Sequence, residues 1–303
     1  MSAKNTPHPQ ASTEMMTTRE VADYLRIKER KVYDLVRLGR IPCTRVTGKL
    51  LFPKALIDRW MAESTAQAGT EAAAAPPVIA GSRDPLLDWA ARESGSGLAL
   101  IAGGSEDGLR RLAAGEALVA GMHLLDPPTG AFNLPAVEAA AAHLGVVVVE
   151  WARREEGLLL PAGNPQRVAG IADLAGKIRV MRRQKGAGAR VLFDHLLASA
   201  GLAERDLILV DQIAMTGQEL GLAILEGKAE AGLGLRAVAR QLRLDFLPLA
   251  TERFDLVLRR RDYFEPPFQK LLAFAATGAF RARAAELGGY DISGLGTVHY
   301  NAP

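Results

Sequence analysis

Two groups of cationic residues stand where their types and spacing could do chemistry. The first surrounds a turn: Arg183, Gln184 and Lys185 lead into Gly186-Ala187-Gly188, and Ala189-Arg190 follow where a helical pattern begins. Glycines let backbone N–H groups approach an anion closely, and a helix N-terminus adds positive potential. Arginines bracketing such a turn point to oxyanion binding. Other turns at the ends of apolar runs add hydroxyl and cationic donors, at Ser82-Arg83, Gly104-Ser105, His123, Thr216 and Arg236. In open α/β sheets a ligand sits at the carboxyl ends of the strands. The expected ligand-binding residues are Ser82, Arg83, Gly104, Ser105, His123, Arg183, Gly186, Gly188, Arg190 and Arg236. Such donors suit an anion that offers acceptor oxygens and no proton.

The second group lies near the N-terminus. Up to Thr65 there are twelve Lys and Arg against seven Asp and Glu, a net +5, which leaves −2 for the rest of a chain whose total is +3. A basic head on a mildly acidic body is a nucleic-acid footprint. Lys28, Arg30, Lys31 and Arg37 fall on a short helical pattern, with Arg30 and Lys31 near its start, where contact with base edges is expected. Arg40, Arg45 and Lys49 flank a following hairpin pattern and are placed to touch phosphates. With Thr18, these seven cations form the expected DNA-binding set.

Catalytic and metal chemistry find little support. The five histidines are scattered, and Cys43 is the lone cysteine, so no zinc spacing occurs. Gly232-Leu233-Gly234-Leu235-Arg236-Ala237 fits a loose dinucleotide fingerprint, but a lone match is weak. Gly103-Gly104-Ser105-Glu106-Asp107 lacks the last glycine of a nucleophile elbow. No Ser/His/Asp set or paired carboxylates stand out, so no catalytic residue, metal or catalytic cofactor is expected.

Two domains must position these residues. Residues 15–62 hold short helical patterns and a hairpin. Thr18 reads as an N-cap before Val21, Ala22, Tyr24 and Leu25, and Lys28–Leu38 turns Val32, Leu35, Val36 and Leu38 inward. Ile41–Phe52 alternates around Gly48, and Pro53 opens a third helix with Leu56, Ile57, Trp60 and Met61. Residues 63–77, rich in Ala, Thr and Pro, read as a linker. From 78 to 303, short apolar strands alternate with helices, the rhythm of a parallel α/β fold. Strands are expected at Val146–Ala152, Phe246–Leu249 and Phe254–Arg259, among others. No apolar run approaches the about 20 residues that span a membrane, and the polar N-terminus is not a secretory signal. A cytoplasmic location follows, with no membrane partner.

The run Thr17-Thr18-Arg19-Glu20-Val21-Ala22-Asp23-Tyr24-Leu25, then Lys28 through Val36, then Gly39-Arg40-Ile41-Pro42 resembles the excisionase and MerR-type winged helix-turn-helix family. The likeness extends through Phe52–Trp60. It implies double-stranded DNA as partner, with a reading helix and a hairpin wing, bound as a homodimer or higher even oligomer. The remainder resembles the type II periplasmic-binding-protein superfamily, in its cytoplasmic branch fused to helix-turn-helix domains and related to molybdate- and tungstate-binding proteins. Leu112–Asp126, Phe132–Pro135, Arg183–Arg190, Ala229–Arg236 and Glu252–Val257 carry that likeness. It implies two α/β lobes joined by crossing strands, with a small anionic effector, molybdate or tungstate, in the cleft. The arginines equally suit the molybdenum cofactor or another organic anion. The expected function is a one-component, ligand-gated transcription regulator; an excisionase-like DNA-architectural accessory protein is the alternative.

Overall fold

A computed structural model of the protein describes residues 14–46, 48–58, 60–61 and 75–302. The chain divides into two compact units, Met1–Ala74 and Ala75–Pro303. Most of the expected linker lies outside the described residues.

The first unit starts with a strand, β1 (Met15–Thr17), followed by helices α1 (Thr18–Tyr24) and α2 (Glu29–Arg37). Strands β2 (Thr44–Val46) and β3 (Lys49–Pro53) form the hairpin, and helix α3 takes in 54–58 and 60–61. The three strands order as β1-β3-β2, all antiparallel. The cap of α1 is Thr17 rather than Thr18. The Thr17 hydroxyl accepts from the Glu20 N–H, and the Glu20 carboxylate accepts from the Thr17 N–H at 2.7 Å. Val21, Ala22, Val32, Phe52 and Ile57 form the small core with Met16 and Ile41. Leu38, expected inward, is instead 60% exposed, because α2 ends at Arg37 and Leu38 becomes its C-cap.

In the second unit, parallel strands β4 (Val78–Gly81), β5 (Ala99–Ala102) and β6 (Val119–Met122) alternate with helices α4 (Pro85–Glu93) and α5 (Ser105–Ala114). Helix α6 (Leu134–Ala141) leads to β7 (Val146–Leu160). Then come β8 (Arg179–Arg183), α7 (Gly188–Ser199), β9 (Ile208–Ala214), α8 (Gly217–Leu225), β10 (Gly232–Leu235) and α9 (Arg236–Leu242). Strand β11 (Asp245–Arg259) returns the chain, and α10 (Arg260–Tyr263), α11 (Pro266–Ala275), α12 (Gly278–Leu287), β12 (Tyr290–Asp291) and β13 (Val298–Asn301) close it.

The sheet order β10-β7-β11-β6-β4-β5 makes this unit two lobes. Strands β7 and β11 are antiparallel partners, each fifteen residues long, and they run through both lobes. The expected strand Val146–Ala152 is only the first half of β7. The two expected strands Phe246–Leu249 and Phe254–Arg259 are one, with register shifts between Pro248 and Ala250 and between Phe254 and Asp255. Proline has no N–H to give the ladder, so an irregularity beside Pro248 follows from its chemistry. One apolar cluster, built around Trp151, Phe254, Phe268 and Phe280, reaches from the first lobe into the second through Met181, Leu220 and Val238, and another around Leu112, Met122 and Val148 belongs to the first lobe. A separate one around Leu158, Val180, Leu192 and Phe193 belongs to the second. No described helix is long and apolar enough to cross a membrane.

Candidate ligand cleft and nucleic-acid surface

The cleft starts where the parallel strands of the first lobe end. Ser82 follows β4, Ser105 opens α5, and His123 follows β6. The two serine hydroxyls lie 2.9 Å apart, and Ser105 Oγ accepts from the His123 N–H at 3.1 Å. Both serines are buried. From the second lobe, the turn before α7 presses directly against this edge. The Glu106 N–H donates to the Gly186 carbonyl at 3.2 Å. A Cβ at Gly188 would meet the His123 carbonyl oxygen at 2.3 Å, so only glycine permits this approach. The lobes are therefore closed on one another, and they leave between them a cavity of about 20 Å³. That is room for roughly one water molecule.

The crossing strands supply the floor. Arg154 on β7 pairs in register with Glu252 on β11, and their side chains form an ion pair. The same guanidinium donates to Asp84, the cap of α4, at 3.0 Å and lies 4.2 Å from the Phe254 ring centre. Asp84 also accepts from the Tyr290 hydroxyl at 2.6 Å. Glu252 completes the chain with His123 Nδ1 at 2.5 Å. Arg154 is 1% exposed and Glu156, two residues on, is 2% exposed. Burial raises the Glu156 carboxyl well above the ordinary range, and the neighbouring Glu252 charge adds to it. Burial would also raise Glu252, but Arg154 and His123 outweigh it and hold that carboxyl low. Burial lowers His123 despite Glu252, so its ring favours the neutral form. Burial lowers Arg183 too, although Glu156 and Glu219 oppose the shift.

The structure divides the expected ligand residues. Arg83, His123 and Arg183 line the cavity together with Arg154, Glu156 and Gln218. Arg83 is engaged with Asp88, and Arg183 donates to the carbonyls of Ala214 and Met215. Ser82, Gly104, Ser105, Gly186 and Gly188 lie where the lobes meet, so the glycines admit lobe against lobe. Arg190 and Arg236 do not line the cavity. Arg190 pairs with Asp194 at 2.8 Å and Glu204 at 2.7 Å, and Arg236 pairs with Glu155 over the Phe246 ring. Arg154, Glu156 and Glu252 are not among the residues expected from the sequence. The signal was present: Ala152, Arg154 and Glu156 recur at period two within an apolar strand, which places them on one face. His123, Glu156 and Glu252 offer ligand atoms within 4.8 Å of one another, the one such group among the described residues. The Glu252 oxygens already accept from Arg154 and contact His123, so a metal ion would have to displace a guanidinium.

In the first unit a groove of about 680 Å³ runs between α2 and the hairpin. Arg19, Arg37, Arg45 and Lys49 line it, along with Thr18 and Tyr33. Three of the expected cations thus gather in one groove, and Arg19 joins them. Lys28, the N-cap of α2, and Arg30, Lys31 and Arg40 are exposed outside it. Arg37 is tied to Asp34 at 3.2 Å.

Comparison with known proteins agrees with both units. Residues 87–276 match the PBP superfamily domain, and residues 15–65 match a helix-turn-helix domain. Neither is a family of enzymes. The uncharacterized protein YvgK of Bacillus subtilis is 26% identical over 94% of this chain and 98% of its own length. An uncharacterized protein of Clostridium pasteurianum, from the 5′ region of a ferredoxin gene, is 32% identical over 25% of this chain and 67% of its own. Among solved structures, a substrate-binding protein assigned to phosphate ABC transport in Clostridium perfringens, with bound phosphate, superposes with a TM-score of 0.52. It covers 69% of this chain and 96% of its own at 14% identity, a likeness of fold.

Proposed function

The chain belongs to the PBP superfamily, and on that premise we propose that it is a one-component transcription regulator that senses a small anion. The N-terminal unit binds double-stranded DNA, and the cleft of the second unit binds the effector. One observation carries this reading: a single chain holds an exposed groove ringed by four cations and a buried cleft lined by desolvated guanidiniums. Phosphates in the groove and an oxyanion in the cleft supply the matching charges. The effector is an oxyanion of the molybdate or tungstate type. The cavity must widen to admit any of these, and a tetrahedral oxyanion needs less opening than the molybdenum cofactor or another organic anion. DNA affinity then changes by the ratio of effector affinities in the two states. The protein works in the cytoplasm as a homodimer, reading paired half-sites.

Calorimetric titration of the full chain with molybdate, tungstate, sulfate and phosphate tests the effector. At least one should bind, and it should change the affinity for a specific DNA fragment. Failure of all four removes the oxyanion reading. A monomeric mass by light scattering at working concentration removes the dimer.

A further inference from the structure

Glu156 sits at the cavity with nothing to satisfy one of its oxygens. Its Oε2 has no hydrogen-bond partner, although it is fully buried. An unpartnered buried polar atom is costly, and it marks a place where a ligand or a proton belongs. Glu252 on β11 lies within 4.8 Å and is already committed as an anion to Arg154. Two carboxylates this close in a buried site do not both ionise readily. The other ionisable groups facing the cavity are Arg154 on β7, Arg183 on β8, and His123 after β6. Asp84 and Tyr290 stand behind Arg154, and Arg83 is spent on Asp88.

The charges decide the outcome. Arg154 and Arg183 face Glu252 and Asp84, Glu219 on α8 also acts on Arg183, and burial favours the neutral form of His123. With Glu156 protonated, the cavity carries one negative charge fewer and its free carboxyl offers an O–H donor. With Glu156 ionised, the cavity carries that charge and turns an acceptor toward an entering anion.

We propose that Glu156 sets the proton stoichiometry of the cleft, so that a fully deprotonated oxyanion binds together with one proton held on Glu156. This rests on the small-anion reading of the cleft. The anion accepts from the Glu156 O–H and from the Arg154 and Arg183 guanidiniums, which line the cavity. The proton comes from solvent and returns to it on release. An anion that brings its own proton, such as hydrogen phosphate, binds instead to ionised Glu156 by donating to it. The cleft therefore selects total proton content rather than the anion alone.

The test uses the full chain with molybdate and sulfate, titrated by calorimetry from mildly acidic to alkaline pH in buffers of different ionisation enthalpy. In the alkaline range, affinity should fall about tenfold per pH unit, because each unit costs the protonated form that factor. The buffer dependence should report an uptake approaching one proton per anion. Glu156→Gln keeps a donor and cannot ionise, so it should bind with a flat pH profile and no uptake. His123 lines the cavity, so His123→Gln is expected to change the affinity, but the proton uptake per anion bound should remain. Binding in the native protein with a flat profile overturns this inference and leaves the anion reading standing. Uptake that persists in Glu156→Gln and vanishes in His123→Gln overturns it in favour of the histidine. Failure of molybdate and sulfate to bind at any pH overturns the inference, and failure of tungstate and phosphate as well overturns the anion reading with it.

Discussion

Arg154→Met removes the one cation that joins the cap of α4 to the crossing strands. Its guanidinium donates to Asp84 at 3.0 Å and pairs with Glu252, and all three groups are buried. Burial works against the arginine charge, but Glu252 and Asp84 outweigh it and raise its pKa. Breaking a buried pair by deleting one partner costs about 3–5 kcal/mol, because the remaining charge is left without compensation. Two carboxylates lose their partner here, which places the loss toward the upper end. Methionine keeps much of the contact with Phe254, so lost packing contributes little. For a unit of this size each kcal/mol moves the melting temperature by about 2–4 °C, and the expected fall is about 6–20 °C. Differential scanning calorimetry of the full chain measures it. Arg154→Lys should fall between, since one ammonium cannot reproduce the fork. Arg154→Met combined with Glu252→Gln should recover part of the loss, because the orphaned charge is then gone. A melting temperature for Arg154→Met within about 2 °C of the native value would refute the reasoning.

Three further outcomes are expected. Arg45→Ala and Lys49→Ala should each weaken DNA binding uniformly across sequences and make the slope of log affinity against log salt shallower by about 1, as fluorescence anisotropy will show; an unchanged slope means the groove does not meet phosphates. Gly188→Ala places a methyl group against the His123 carbonyl, so small-angle scattering in saturating molybdate should give it a larger radius of gyration than the native protein; equal radii would show that closure does not use this contact. Stability should fall at both ends of the pH range, and melting scans will follow it. Glu252 is depressed, so its contribution is present above the ordinary glutamate value of about 4.3 and is lost as pH falls through its lowered pKa. Glu156 is raised, so its contribution is lost as pH rises through its raised pKa. Glu252→Gln should flatten the acid limb and Glu156→Gln the alkaline one.

The alternation of short strands and helices, and the helices of the first unit, were legible because burial imposes a period on the sequence. Helix α9, Arg236–Leu242, between strands β10 and β11 keeps that alternation. Strand β7 was cut short at its charged residues 153–156, whereas the backbone ladder with β11 continues through them and Arg154 pairs with Glu252 across it. The same error hid the floor of the cleft. Helix α4 escaped notice although Asp84 and Pro85 form an ordinary cap and first turn. Strand β1 is too short to leave a periodic trace and exists only because β3 pairs with it. Arg190 was expected at the anion, but its side chain turns to Asp194, one helical turn on, and to Glu204 beyond the end of α7.

The buried charges are not explained by stability. A buried ion pair at best breaks even against well-packed apolar residues, and both lobes have apolar cores of their own. The arrangement is better explained by what each lobe brings to the cleft. Asp84, His123, Arg154, Glu156 and Glu252 are held together by α4, the end of β6 and the crossing strands. Arg183 and Gln184 come with the second lobe, and the Gln184 side-chain nitrogen is buried without a partner. An effector can shift the lobes only through contacts that differ between the open and closed states. A contact to Arg183, which lines the cavity from the second lobe, would be of that kind. An anion held by the first lobe and crossing strands alone would bind and leave the lobe equilibrium where it was.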